Sequence, residues 1–232
     1  MTDSTSSTAF SLERVTQELR EFEKKHARAS GSVNLLAVSK RKPISAILEA
    51  MSAGQRSFGE NYVDEGVEKI QTIDDRSIDW HFIGAIQSRK CGQIAEHFSW
   101  VHGVDRLKVA TRLSNARPTD APPLNICLQV NLDGEASKAG IPESEIQELA
   151  LACSVLPGVK VRGLMAIPAP RNNFNDQREV FARLRNALSS LKNELPELDT
   201  LSMGMSADME AAVAEGATIV RVGTAIFGAR DK

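Results

Sequence analysis

The chain of 232 residues has little sulfur, few aromatic side chains and almost no charge bias. Each shortage removes a class of function. Its three cysteines, Cys91, Cys127 and Cys153, form an odd set with no C-x-x-C spacing, which argues against a disulfide framework or zinc ribbon and for a reducing compartment. With 28 basic against 30 acidic residues the net charge is −2, so nothing electrostatic recommends nucleic acid or an anionic membrane as partner. No apolar stretch approaches the ~20 residues of a bilayer span. The polar opening from Met1 to Thr8 lacks the basic and apolar regions of a secretory signal. A cytoplasmic protein is expected. G-x-S-x-G, Walker and H-E-x-x-H motifs are missing, and His26, His81, His97 and His102 have no metal-like spacing. No metal site is expected.

What is present is a regular alternation. A hydrophobic content of 42% and a charged content of 25% suit a globular domain. Residues 1–9 read as a flexible polar tail, and residues 10–232 as one domain without linker or composition shift. Leu12, Val15, Leu19 and Phe22 make one stripe of a first helix. Short apolar runs then recur at 33–38, 56–59, 80–83, 100–101, 124–132, 159–167, 201–205 and 218–222. Between them lie segments of helical period, among them Ile44, Ile47, Leu48, Met51 and Val180, Leu184, Leu188, Leu191. Ser88, Asp105 and Ser206 suit N-caps, and Gly54 and Gly216 suit helix ends.

Eight strands alternating with helices predict parallel β/α architecture, as a closed (β/α)8 barrel or an open doubly wound sheet. The open sheet calls for G-x-G-x-x-G after its first strand. Here Val38-Ser39-Lys40-Arg41-Lys42-Pro43 stands in that place without a glycine, so the barrel is favoured. Along the fifth strand Ile126, Leu128, Val130 and Leu132 alternate with Cys127, Gln129 and Asn131. The apolar set should face the helices and the polar set the interior, as a ligand site or as a local hydrogen-bond network.

Lys40 follows an apolar strand, at the mouth where barrel active sites form. A desolvated lysine there can form a Schiff base, and a snorkelling lysine in a basic cluster is the plain alternative. Loops after strands seven and eight of such barrels often cradle phosphate, and Ser206, Gly223 and Thr224 fall there. An ordinary turn explains them equally well. Arg221 shares a strand face with Ile219 and Gly223. If interior, its guanidinium needs an acceptor, either a cofactor ring nitrogen or Asp133 or Glu135. Asn61 and Tyr62 lie in a polar turn after strand two.

Taken together, Ala37-Val38-Ser39-Lys40, Phe58-Gly59-Glu60-Asn61-Tyr62, His81-Phe82-Ile83-Gly84, Gly163-Leu164-Met165-Ala166-Ile167, Ser202-Met203-Gly204-Met205-Ser206 and the run Val220 to Gly228 strongly resemble the pyridoxal phosphate homeostasis proteins. The resemblance implies a single barrel of the alanine racemase N-terminal-domain type, with pyridoxal 5'-phosphate held as an aldimine on Lys40. It assigns the phosphate to Ser206, Gly223 and Thr224, the pyridine nitrogen to Arg221, and the flanks of the ring to Asn61 and Ile167. It implies a cofactor carrier and buffer without catalytic residues, monomeric, with PLP-dependent apoenzymes as clients. The related racemases take a second base from a further β domain, and none is expected here. The alternatives are a small PLP-dependent racemase or lyase using Tyr62 or Lys138, and a sugar-phosphate enzyme acting through Lys40.

Overall fold

Apolar residues repeating every second position along the strands, and at helical spacing between them, must be buried together. The way they meet closes the sheet. A computed structural model describes residues 7–134 and 139–229. Its strands are β1 (Asn34–Val38), β2 (Ser57–Glu60), β3 (Asp79–Phe82), β4 (Trp100–Val104), β5 (Leu124–Val130), β6 (Val159–Ala166), β7 (Thr200–Ser202) and β8 (Ile219–Val222). They form a closed barrel in sequence order. β8 pairs in parallel with β1, opposing Leu36 to Arg221 and Ala37 to Val222. This is the predicted (β/α)8 barrel, and the open sheet falls away.

The helices among the described residues are α1 (Thr8–Lys25), α2 (Ile44–Ser52), α3 (Val63–Ile73), α4 (Cys91–His97), α5 (Leu107–Ala116), α6 (Ile146–Ser154), α7 (Phe174–Leu191), α8 (Met209–Ala214) and the single turn α9 (Thr224–Phe227). Ile126, Leu128, Val130 and Leu132 of the β5 segment belong to the core between barrel and helices, as alternation requires. α1 buries Leu12, Val15 and Leu19 and packs beside α2, α8 and α9, covering the β1–β8 seam from outside. Its N-cap is Ser7, and the helix takes in Thr8 and Ala9 from the segment read as tail. Residues 1–6 lie outside the described residues.

Three expected N-caps fall elsewhere. Ser88 opens a 3₁₀ turn ahead of α4. Arg106, ion-paired to Asp105 at 2.6 Å, stands at the N-cap of α5. Asp208 replaces Ser206 at the start of α8, because its Oδ1 accepts the Met205 N–H at 2.6 Å and so folds residues 206–208 into a turn. Gly54 and Gly216 do end helices, at φ +95° and +91°.

Two buried carboxylates fix how the chain enters and leaves β1. Glu23, at the end of α1, accepts N–H bonds from Gly31 at 2.9 Å and Val33 at 2.7 Å and pairs with Arg20 at 2.5 Å. Burial pushes this carboxyl up, but the two amides and the guanidinium together outweigh it and hold it below the usual 4.5. At the other end of β1 the Lys69 ammonium donates to the Ser39 carbonyl at 2.8 Å, Glu60 at 2.8 Å and Glu65 at 2.6 Å. Ser39 Oγ also donates to Glu60, at 2.6 Å, and the Arg41 N–H donates to Glu65 at 2.5 Å. All three ammonium protons are used, and Lys40 sits between two tethered residues. Arg41 is held at φ +58°, a left-handed conformation rare for a residue with a side chain.

A native carboxyl pKa below the unfolded value contributes stability that is full above the unfolded value and lost as pH falls through the native one. Glu23→Gln should therefore cost about 1–3 kcal/mol near pH 7. The difference from wild type should shrink as urea unfolding is repeated down to about pH 3; a constant difference contradicts this. Lys69→Met strands Glu60 without its cation and should cost about 3–5 kcal/mol in the same assay. Adding Glu60→Gln to that variant should restore part of the loss.

Candidate functional site

Beside buried apolar side chains such as Leu36 and Met165, the barrel holds a set of polar groups. Near the N-terminal ends of the strands Arg162 binds Asp199 at 2.5 Å and Asn125 at 2.8 Å and lies over the Trp100 ring at 4.8 Å. Above it His81 stacks on Trp100, with ring centroids 5.3 Å apart. His81 Nδ1 meets His102 Nε2 at 2.9 Å, and His102 Nδ1 meets Ser202 Oγ at 2.8 Å. Arg221 completes the layer, donating from Nη1 to Ser202 Oγ at 2.7 Å and from Nη2 to the Ala166 carbonyl at 2.9 Å. These groups come from β3, β4, β6, β7 and β8, so the chain of bonds crosses the lumen. Burial pushes His81 down to about 3 and His102 well below its usual value, so both rings are neutral. Burial also lowers Arg221 to about 10, with Asp208 opposing. The guanidinium stays charged at neutral pH.

Arg221 therefore faces inward, as strand alternation requires, and Asp133, one of the two acids suggested for it, has other partners. Asp133 is spent on the Ala169 N–H and on Arg171, both at 2.6 Å. Glu135, and Lys138 with it, lies outside the described residues. Cys127 also faces this layer, its thiol pushed up to about 12 by burial. Further along β5 the polar set serves the adjoining loop. Gln129 donates to the Ala139 carbonyl at 3.1 Å and Asn131 accepts the Gly134 N–H at 3.1 Å.

Above Arg221 the strand ends form a rim. Lys40 is half-buried in the turn after β1. Across the β1–β8 seam Gly223 precedes α9, and a side-chain carbon there would stand 3.2 Å from the Val38 carbonyl oxygen. Thr224, exposed, opens the helix. Lys42 Nζ donates to the Ala229 carbonyl at 2.6 Å, tying the β1 loop to the segment after α9. Closure of the barrel thus brings Lys40, Gly223 and Thr224 to one side. Ser206 is exposed in the turn after β7. Ile167 is 45% exposed and directly follows Ala166, whose carbonyl holds Arg221. Asn61 directly follows β2, as Ile167 follows β6. The Asn61 side-chain oxygen is enclosed and has no hydrogen-bond partner. Its backbone presses so closely on Gly84 that a side-chain carbon there would lie 2.1 Å from the Asn61 oxygen. Tyr62 lies against the Arg41 guanidinium at 5.3 Å.

An amine, two hydroxyls, the amide end of a helical turn, a buried guanidinium and an unpartnered amide oxygen suit a phosphorylated aldehyde with a heteroaromatic ring. Among the described residues no group of three His, Cys, Asp or Glu side chains is placed to hold a metal ion, and no helix is long and apolar enough to cross a membrane. Sequence reasoning missed His102, Ser202, Glu60 and Lys69. For His102 and Ser202 the available signal was a polar residue at an inward position of a short apolar strand; Glu60 and Lys69 pair between β2 and α3.

The model of the alanine racemase N-terminal domain matches residues 10–231. A pyridoxal phosphate homeostasis protein of Vibrio alginolyticus is 53% identical over 95% of this chain and 96% of its own. One from Escherichia coli (strain K12) is 51% identical over 96% and 97%. The structure of PipY of Synechococcus elongatus PCC7942 with PLP bound superposes with a TM-score of 0.79 at 38% identity, covering 90% of this chain and 100% of PipY. With this identity sustained along nearly the whole chain, and with the closed parallel barrel, the chain belongs to the pyridoxal phosphate homeostasis proteins, within the alanine racemase N-terminal domain family.

Proposed function

We propose that the protein is a cytoplasmic carrier and buffer of pyridoxal 5'-phosphate, holding it as a Schiff base on Lys40. What supports this reading is the β1–β8 seam, where Gly223, at the end of the strand that carries Arg221, closes on Val38, two residues before Lys40. When bound, pyridoxal phosphate supplies an aldehyde that condenses reversibly with an amine, with loss of water.

Lys40 provides that amine, and the Ser39–Glu60–Lys69 clamp keeps its backbone from drifting. Ser206, Gly223 and Thr224 take the phosphate through hydroxyls and backbone amides. Asn61 offers its unpartnered oxygen to one side of the ring, and Ile167 covers the other. Arg221, a fixed cation below the ring nitrogen, disfavours a second positive charge there. An unprotonated ring is a poor electron sink, so carbanion chemistry is held back. Racemisation needs an acid or base on each face of the α-carbon, and the Tyr62 ring is already covered by the Arg41 guanidinium at 5.3 Å. The reading is therefore non-catalytic. Water or the amine of a client apoenzyme releases the cofactor, and the protein works as a monomer.

The test is an absorbance spectrum before and after borohydride, followed by peptide mass. A near-visible band that disappears on reduction, with the added mass on Lys40 and neither signal in Lys40→Ala, supports the proposal. Trapping on another lysine, or alanine racemisation abolished by Tyr62→Phe, overturns it.

A further inference from the structure

The buried bonds around Arg221 have a direction that distances alone do not give. A guanidinium has only donors, so Ser202 Oγ accepts from Arg221 Nη1 at 2.7 Å. The hydroxyl keeps one proton to give, and its other partner is His102 Nδ1 at 2.8 Å. The opposite polarity would leave that proton without an acceptor at a side chain of zero exposure. His102 Nδ1 is then the acceptor, so the neutral ring carries its proton on Nε2. That proton points to His81 Nδ1 at 2.9 Å, which places the proton of His81 on its own Nε2. The stack on Trp100, 6° from parallel, holds the last ring in plane.

From this arrangement we infer that Ser202, His102 and His81 are positioning residues for Arg221: a neutral relay, oriented by the guanidinium, that fixes the cation at the base of the site without neutralising it. A carboxylate in the same place would fix the guanidinium equally well but would cancel its charge. Among the described residues the acid whose charge acts on Arg221 is Asp208, whose Oδ1 is occupied by the Met205 N–H at 2.6 Å. The Ala166 carbonyl takes the second Nη without adding charge. Two strands, β6 and β7, thus supply neutral acceptors to one buried cation, and β3 and β4 orient one of them through the two histidines. The inference deepens the carrier reading and rests on it where it touches the cofactor ring.

The first measurement needs no cofactor. Nitrogen-15 histidine spectra of protein stripped of ligand should show His81 and His102 neutral at about pH 6, both protonated on Nε2. Ser202→Ala should disturb the His102 resonances, and Ser202→Thr, which keeps the hydroxyl, should restore them. His102 protonated on Nδ1 in the wild type overturns the relay. In the second arm, pyridoxal phosphate should bind about tenfold more weakly to Ser202→Ala than to wild type. The bound pyridine nitrogen-15 resonance should move toward its protonated position, and Ser202→Thr should reverse both effects. Unchanged affinity and an unmoved ring nitrogen in Ser202→Ala overturn the positioning role. Failure of the wild type to bind the cofactor at all would instead overturn the carrier reading, and the histidine spectra keep the two failures apart.

Discussion

Closure of the sheet between β8 and β1 is the contact on which the site depends. Without that pairing the first and last strands of the chain would lie on opposite edges of an open sheet, and Lys40 would be far from Gly223. With Leu36 set against Arg221 and Ala37 against Val222, the ends of both strands reach the same rim. α1 covers the seam from outside, and Lys42 bonds the segment after α9. Sequence-distant residues become neighbours because a parallel barrel of eight strands has no edge.

The second constraint is electrostatic. Most side chains inside a small barrel are apolar because burying a charge is costly. This barrel instead carries Arg162 with Asp199 near its floor and Arg221 with uncharged acceptors higher up. The two arginines, one partly exposed and one buried, illustrate two ways to satisfy a cation inside the barrel. Pairing with a carboxylate cancels the charge and holds the structure together. Surrounding it with oriented hydroxyl, carbonyl and imidazole groups leaves its field intact. The proposed cofactor lies above the second kind. The clamp around Lys40 follows a third pattern, in which Lys69 binds two carboxylates and a carbonyl, and burial pushes the Glu60 carboxyl up against that attraction.

Much of this was legible in the residues. Alternation in Ile126, Leu128 and Val130 against Cys127 identifies the outer and inner faces of β5, because the period of a strand is two whatever its surroundings. The strand order, the inward direction of Arg221 and the rim position of Lys40 follow from the same rule and from the regular β/α sequence. What escaped was partnership. Nothing local in Trp80–Ile83 or Trp100–Val104 says that His81 and His102 will meet, since that contact depends on how far neighbouring strands are staggered. Asp133, one of the acids suggested for Arg221, is engaged elsewhere, and a neutral hydroxyl and a carbonyl take the guanidinium. The cap of α8 was misplaced by two residues because Asp208 uses its carboxylate on the preceding turn, a choice that composition at Ser206 and Asp208 does not reveal.

The central claim is that one ligand is gripped at once by an amine on β1 and an anion cradle after β8. Equilibrium titration with pyridoxal phosphate and with pyridoxal, followed by near-visible absorbance, addresses it directly. The two ligands share the aldehyde and ring and differ only in the phosphate. Joint action of both groups predicts that the phosphate strengthens binding roughly a hundredfold or more. It also predicts that Gly223→Val, which forces a side chain against the Val38 carbonyl, removes most of that advantage while pyridoxal binding persists. Equal affinity for the two aldehydes in the wild-type protein would contradict the account.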